Sequence, residues 1–96
     1  MQYELRNEKL TVCFDTKGAE MTSLRNNGNG QEYLWNADAK FWGRHAPVLF
    51  PFVGKVKNGI YRYGNREYQM SQHGFARDME FTCISNQPEE IWLSLI

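Results

Sequence analysis

Apolar side chains in this chain recur at every second residue in short runs, and turns rich in glycine and asparagine interrupt the runs. A period of two indicates strands, because successive strand side chains point to opposite faces of a sheet. Residues 3–6 and 10–15 alternate in this way around a short turn, which predicts a hairpin. Residues 19–25 predict a third strand, and residues 32–35 predict a fourth after the turn NNGNG. The start of the chain is therefore expected to be an antiparallel meander.

The middle of the chain is expected to be irregular. Residues 36–42 are too few for more than about one helical turn. Pro47 and Pro51 each hold the preceding residue extended and remove a backbone donor, which a central strand could not accommodate. We expect residues 43–59 to form an extended segment that is held rigid by its apolar side chains, namely Val48, Leu49, Phe50, Phe52 and Val53.

The remaining strands are predicted from turn signals and alternation. Residues 60–63 and 66–69 flank Gly64 and Asn65, a pair that is typical of a two-residue hairpin turn. Residues 79–85 and 91–96 are predicted as two more strands around the turn NQPEE. Three Trp, five Tyr and six Phe, with few segments of helical period, agree with this pattern. The sequence predicts an all-β fold of roughly seven to nine short strands in one domain, residues 1–96.

Charge and hydropathy exclude several classes of function. Eleven basic and eleven acidic side chains give a net charge of zero, so the chain lacks the positive surface that nucleic acid or an anionic membrane requires. No apolar run approaches the roughly 18 residues needed to span a bilayer, and the first ten residues lack the apolar core of a signal peptide. We therefore expect a cytoplasmic protein. Cys13 and Cys83 are expected to be buried free thiols.

The last run, IWLSLI, is apolar on both faces except at Ser94. A strand of this kind needs cover on both sides, whereas an edge strand at a domain end usually has one polar face. We therefore expect this chain to be the N-terminal piece of a longer protein. Without that cover, the strand is expected to pair with a second copy or to exchange strands with it.

The stretch QHGFARDMEF concentrates the polar groups that could bind a ligand. His73 offers one donor and one acceptor when neutral, and Arg77 offers five donors in a fixed fork, which suits a hydroxyl-rich or anionic small molecule. Arg44 follows an aromatic pair and precedes the proline segment, where a guanidinium could lie at the mouth of a pocket. The alternative is structural: His73 as a turn residue, and Arg77 paired with Asp78 or another surface carboxylate.

Other chemistries lack their motifs. The Gly-Lys pair in PFVGKVKNG does not have the spacing of a phosphate-binding loop. Two histidines without a cluster of carboxylates or thiolates do not predict a metal site. Neither Ser71 nor Ser94 has a nucleophile elbow or a recognisable base.

The order of GAEMTSL, EYLW, FWGRHAPVLFPFVGKVKNG, the tyrosine hairpin and QHGFARDMEF resembles the N-terminal third of the aldose 1-epimerase family, in particular its bacterial mutarotase-like branch. The resemblance covers nearly the whole chain. It implies the N-terminal portion of a galactose mutarotase-like antiparallel β-sandwich. It also implies interconversion of the α and β anomers of a hexose or hexose 6-phosphate by acid and base chemistry, without a metal or organic cofactor.

The resemblance also assigns residues. His73 matches a histidine that binds the sugar near its ring oxygen, and Arg77 and Arg44 match substrate-binding arginines, which hold the phosphate in phosphosugar relatives. The general acid and general base of the family come from later in the chain, so no catalytic residue is assigned and this chain is expected to be inactive alone. The alternatives are a carbohydrate-binding protein without chemistry, and a purely structural β-domain.

Overall fold

The computed structural model describes residues 1–96 and consists of strands, turns and irregular segments, apart from two 3₁₀ helices of three residues each. The strands are β1 Gln2–Arg6, β2 Leu10–Asp15, β3 Glu20–Asn26, β4 Ile60–Tyr63, β5 Arg66–Gln69, β6 Thr82–Gln87 and β7 Glu90–Ser94. The 3₁₀ helices are Lys57–Gly59 and Ala76–Asp78. Seven strands confirm the predicted all-β class. No helix is long and apolar enough to cross a membrane.

β1, β2 and β3 form a three-stranded antiparallel sheet in that order, in which Tyr3 of β1 lies opposite Phe14 of β2. Asn7 shapes the first turn because its side-chain oxygen accepts the backbone N–H groups of Lys9 and Leu10, each at 2.8 Å. An asparagine that bonds its own following backbone in this way favours a turn over continued strand. The predicted first hairpin and third strand are confirmed.

Residues 32–35 do not form the predicted fourth strand. A single bridge joins Arg25 to Glu32. The Glu32 carboxylate takes donors that a strand ladder would use, since its Oε2 accepts the backbone N–H of Leu24 at 2.8 Å and that of Leu34 at 3.4 Å. The segment keeps backbone bonds to β3, such as that from Tyr33 to Leu24 at 2.8 Å, but the side chain takes part of the pairing and no strand forms.

β4 and β5 form the predicted second hairpin around Gly64 and Asn65. Gly64 has a φ of 63°, and Asn65 is not among the residues with positive φ, which is the pattern of a type II′ turn. Tyr61 and Tyr68 lie opposite each other, and their rings stack with centroids 5.2 Å apart. This cross-strand aromatic pair adds to the stability of an otherwise exposed two-stranded sheet.

β6 and β7 form a third antiparallel sheet of two strands. β6 begins at Thr82 rather than at residue 79, because the preceding residues enter a 3₁₀ helix and then bond to the end of β2. Gly18 donates its N–H to the carbonyl of Met79 at 2.6 Å, and Phe81 donates to the carbonyl of Thr16 at 2.8 Å. These two bonds join the segment before β6 to the first sheet.

Little of the chain is buried, and its shape is flat. Six of 96 residues are buried, and Ala76 is the single apolar residue among them. The radius of gyration is 16.2 Å, with extents of 54 × 34 × 18 Å. A compact chain of this length would have a radius of gyration of about 12.5 Å. The sheets therefore lie side by side and leave much of their apolar surface uncovered.

The expected apolar anchoring of the proline segment is only partly present. Phe52 packs on Tyr61, with ring centroids 5.3 Å apart, and Phe50 meets Phe75 edge-on, although Phe50 is 56% exposed. The other apolar side chains of the segment are exposed, namely Val48, Leu49 and Val53. Backbone hydrogen bonds also hold the segment, because the carbonyl of Phe50 and both backbone groups of Gly54 bond to the HGFAR motif.

Candidate functional site

The HGFAR motif is a tight turn docked on the proline segment. His73 and Gly74 both have positive φ, of 64° and 76°. Phe75 and Ala76 each donate an N–H to the carbonyl oxygen of Phe50 at 3.1 Å. A Cβ on Gly74 would lie 2.2 Å from the same oxygen, so no other residue type fits at this position. The motif and the proline segment thus form one rigid unit.

The ring of His73 is fixed by reciprocal hydrogen bonds with Gly54. The backbone N–H of His73 donates to the carbonyl of Gly54 at 2.7 Å, and Nδ1 of the ring accepts the N–H of Gly54 at 2.9 Å. Because Nδ1 is an acceptor, the neutral ring carries its proton on Nε2, which lies 3.4 Å from the side-chain nitrogen of Gln72. The ring can therefore present one N–H donor to a ligand oxygen.

Arg77 belongs to the 3₁₀ helix that follows the turn, and its backbone packs closely on Gly18. A Cβ on Gly18 would lie 2.4 Å from the carbonyl oxygen of Arg77. The side chain of Arg77 is 20% exposed, and its Nε is buried without a hydrogen-bond partner. A buried donor without a partner costs free energy, which a ligand oxygen could recover.

Glu20, at the start of β3, holds the segment that carries Arg44. Its buried carboxylate accepts the backbone N–H of His45 at 2.6 Å and that of Ala46 at 3.2 Å. The same oxygen lies 3.6 Å from Nδ1 of His45. These contacts fix the backbone next to Arg44. The position of the Arg44 side chain beside the first sheet therefore depends on Glu20.

An ion pair joins Arg44 to the HGFAR motif. Nη2 of Arg44 lies 2.6 Å from Oδ1 of Asp78, and Nη1 donates to the carbonyl of Arg77 at 3.4 Å. Oδ2 of Asp78 lies 3.9 Å from Nε of Arg77. The hydrogen bond from Arg44 lowers the pKa of Asp78 below its ordinary value, and the charges of Arg44, Arg77 and Lys17 lower it further. Asp78 is therefore ionised at neutral pH.

Both arginines line one open cavity of about 680 Å³. Its wall is polar and charged; the turn after β2 contributes Lys17, and β3 contributes Glu20 and Arg25. The volume lies in the range of small-molecule sites, roughly 300–1,000 Å³, although most such sites are more apolar. A wall of guanidinium, ammonium and carboxylate groups can bind a hydroxyl-rich molecule, which both donates and accepts hydrogen bonds.

The structure brings together two of the three residues predicted to bind substrate. Arg44 and Arg77 come from segments 33 residues apart and meet at the cavity, whereas His73 is not part of its wall. Trp42 and Phe75, whose rings could stack on a sugar face, are 49% and 40% exposed and also lie outside that wall. The predicted site is thus divided between the cavity and the turn beside it.

Sequence reasoning missed the part that Glu20 takes in this site. Its partners are 25 and 26 residues away, and no spacing rule connects a carboxylate at a strand start with backbone groups so distant. No local signal was available, because a polar residue between Ala19 and Met21 is what the exposed face of a half-buried strand would show. The nearby carboxylates Asp78 and Glu80 have separate partners, since Asp78 pairs with Arg44 and Glu80 accepts the hydroxyl of Thr16.

Superposition on solved structures shows the class of protein to which these small antiparallel sheets belong. The chain is similar to a galactose mutarotase related enzyme from Lactobacillus acidophilus, with a TM-score of 0.96 and 40% identity over 99% of this chain and 32% of that chain. It is therefore an all-β protein with the fold of the N-terminal portion of the galactose mutarotase-like β-sandwich, as predicted. A family model described as aldose 1-epimerase matches residues 1–96, and the chain belongs to this family.

Two further relatives agree. A galactose mutarotase-like protein from Lactobacillus casei has a TM-score of 0.87 and 42% identity, over 92% of this chain and 30% of that chain. The chromosomal LacX protein of Lactococcus lactis subsp. lactis is 45% identical over 100 residues, which are 99% of this chain and 33% of that protein. The chain thus spans about a third of the length of the curated relatives it matches.

Proposed function

We propose that this chain provides the sugar-binding half of an aldose 1-epimerase-like isomerase, which interconverts the α and β anomers of a hexose or hexose 6-phosphate in the cytoplasm. The observation that carries this proposal is the meeting of Arg44 and Arg77 on one polar cavity, in a chain of the aldose 1-epimerase family. Two fixed guanidinium groups can donate to several sugar hydroxyls at once.

The remaining contacts suit the same substrate. His73 is held by Gly54 through Nδ1, which leaves Nε2–H as a donor that could polarise a sugar ring oxygen. Anomer exchange also needs one group that protonates the ring oxygen and another that removes the proton of the anomeric hydroxyl. None of the residues at this site is assigned either role, and we propose that the chain alone binds sugar without accelerating anomer exchange.

The open edge of β7 supports a further part of the proposal, which is self-association of this chain when it is studied alone. β7 is paired on one side only, with β6, and Trp92 and Ile96 beside that edge are exposed. Exposed apolar strand edges recruit other strands.

Sugar binding tests the proposed function at the level of single residues. Replacing Arg77 or His73 by alanine should weaken glucose or galactose binding roughly tenfold or more, since each change removes a charge-assisted or directed hydrogen bond. Arg62→Ala is the matched control because it removes an arginine that pairs with Glu67 on the second hairpin, away from the cavity. Isothermal titration calorimetry measures the three affinities. Unchanged affinity in both site variants would indicate that HGFAR is only a structural turn.

A further inference from the structure

Asp78 lies against both arginines of the candidate site. One of its oxygens is 2.6 Å from Nη2 of Arg44, and the other is 3.9 Å from Nε of Arg77. The groups that would hold a phosphate therefore already face a carboxylate. A phosphate dianion bound to either guanidinium would be close to this like charge, whereas a sugar hydroxyl could donate to the carboxylate and accept from the arginines.

The rest of the cavity wall does not make up for this negative charge. Lys17 and Arg25 accompany the two arginines, but Asp15 and Glu20 line the same cavity. With Asp78, three acidic groups oppose four basic ones, so the excess positive charge is small. Sites that bind a phosphate dianion usually concentrate positive charge and backbone donors instead.

Building on the proposed sugar site, we infer that Asp78 is a specificity-determining residue: by neutralising Arg44 and Arg77, it makes the site select an uncharged hexose over a hexose 6-phosphate. Asp78 is not part of the cavity wall, so it acts on the ligand through the two arginines that it contacts. Its charge is present across the neutral pH range because the Arg44 hydrogen bond holds its pKa low.

The test compares glucose and glucose 6-phosphate on the natural gene product and on three variants. Asp78→Asn keeps the size of the side chain and removes its charge, and should shift the ratio of glucose 6-phosphate to glucose affinity roughly tenfold or more toward the phosphate. Asp78→Glu keeps the charge and should keep the selectivity of the wild type. Glu67→Gln removes the same charge from the Arg62 pair on the second hairpin and is the matched control.

Each outcome decides the inference. Wild-type preference for glucose, together with a shifted ratio in Asp78→Asn alone, supports it. If the wild type binds glucose 6-phosphate at least as tightly as glucose, the inference is overturned while the proposed function stands, and this result needs no variant to fold. An unchanged ratio in a folded Asp78→Asn protein also overturns it. Failure of both sugars to bind would overturn the proposed function as well.

Discussion

At the scale of single residues, Glu20 shows how a carboxylate in the cavity wall can also organise the site through backbone contacts. It is 8% exposed, and its side chain accepts two backbone N–H groups from the segment next to Arg44. A buried carboxylate is tolerated when hydrogen bonds replace its lost hydration. The position of Arg44 therefore depends on a residue in a different part of the chain.

Replacing Glu20 by glutamine should lower the free energy of unfolding by about 1–3 kcal/mol. The glutamine side chain lacks the charge that strengthens both hydrogen bonds, and its NH₂ group can face the two backbone N–H donors. Glu8→Gln is the control, since Glu8 is an exposed residue of the first turn. Urea denaturation of the two variants gives the comparison. Equal stability of both would show that the Glu20 contacts contribute nothing.

At the scale of elements, two glycines let the HGFAR turn approach its neighbours. Gly74 meets the carbonyl of Phe50, and Gly18 meets that of Arg77, each at a distance that excludes a Cβ. The motif is therefore defined by where its backbone fits as much as by its polar side chains.

Gly74→Ala should destabilise the chain by several kcal/mol more than Gly64→Ala. Both glycines have positive φ, so both variants incur the conformational cost of about 1 kcal/mol, but Gly64 has open space where Gly74 has the Phe50 carbonyl. The difference between the thermal unfolding midpoints of the two variants measures the destabilisation that comes from the steric clash. Similar midpoints would mean that the turn does not dock as described.

Glu32 provides a pH-dependent contact in the segment that returns along β3. The hydroxyl of Ser23 and then the backbone N–H groups of Leu24, Leu34 and Tyr33 lower the pKa of Glu32 below its ordinary value of 4.5. A lowered pKa means that the carboxylate stabilises the fold above the unfolded value and loses this effect as the pH falls through the folded value. The contribution is modest because the side chain is exposed to solvent.

We therefore expect the stability of the wild type to fall below about pH 4.5 more steeply than that of Glu32→Gln. Denaturation curves at several pH values, together with an NMR titration of the Glu32 carboxyl, measure the difference. A titration midpoint at the ordinary value would contradict the assigned contacts.

Local rules predicted the hairpins and failed where a distant group intervened. Gly64 and Asn65 specify their turn from two adjacent residues, and the alternation of residues 10–15 specifies β2, so both were accessible from sequence. Residues 32–35 also follow a turn signal, yet the Glu32 side chain accepts backbone N–H groups of Leu24 and Leu34. The Arg44–Asp78 pair joins residues 34 positions apart, which no local period encodes.

At the scale of the whole molecule, the sheets form a thin layer whose apolar side chains remain exposed. Ile84, Trp92 and Ile96 are exposed on or beside the last hairpin, and the outer edge of β7 has no strand partner. A layer 18 Å thick cannot bury both faces of its sheets. This surface is the physical basis for the proposed self-association.

Sedimentation velocity should show the 96-residue chain associating as its concentration rises. Replacing Trp92 by lysine should reduce the association, because a charge on an edge strand opposes pairing, whereas lysine in place of Tyr63, an exposed aromatic in the second hairpin, should have less effect. A monomer at high concentration would contradict the expectation for β7.

We propose that this chain binds sugar as part of an aldose 1-epimerase-like protein and does not accelerate anomer exchange alone. The most direct measurement is the rate of glucose and galactose mutarotation, followed by polarimetry, with the 96-residue chain and with the gene product from its native source, whose intact mass is determined in parallel. We expect a longer native product that accelerates anomer exchange and a 96-residue chain that does not. Acceleration by the 96-residue chain itself, or a native product of this length without acceleration, would contradict it.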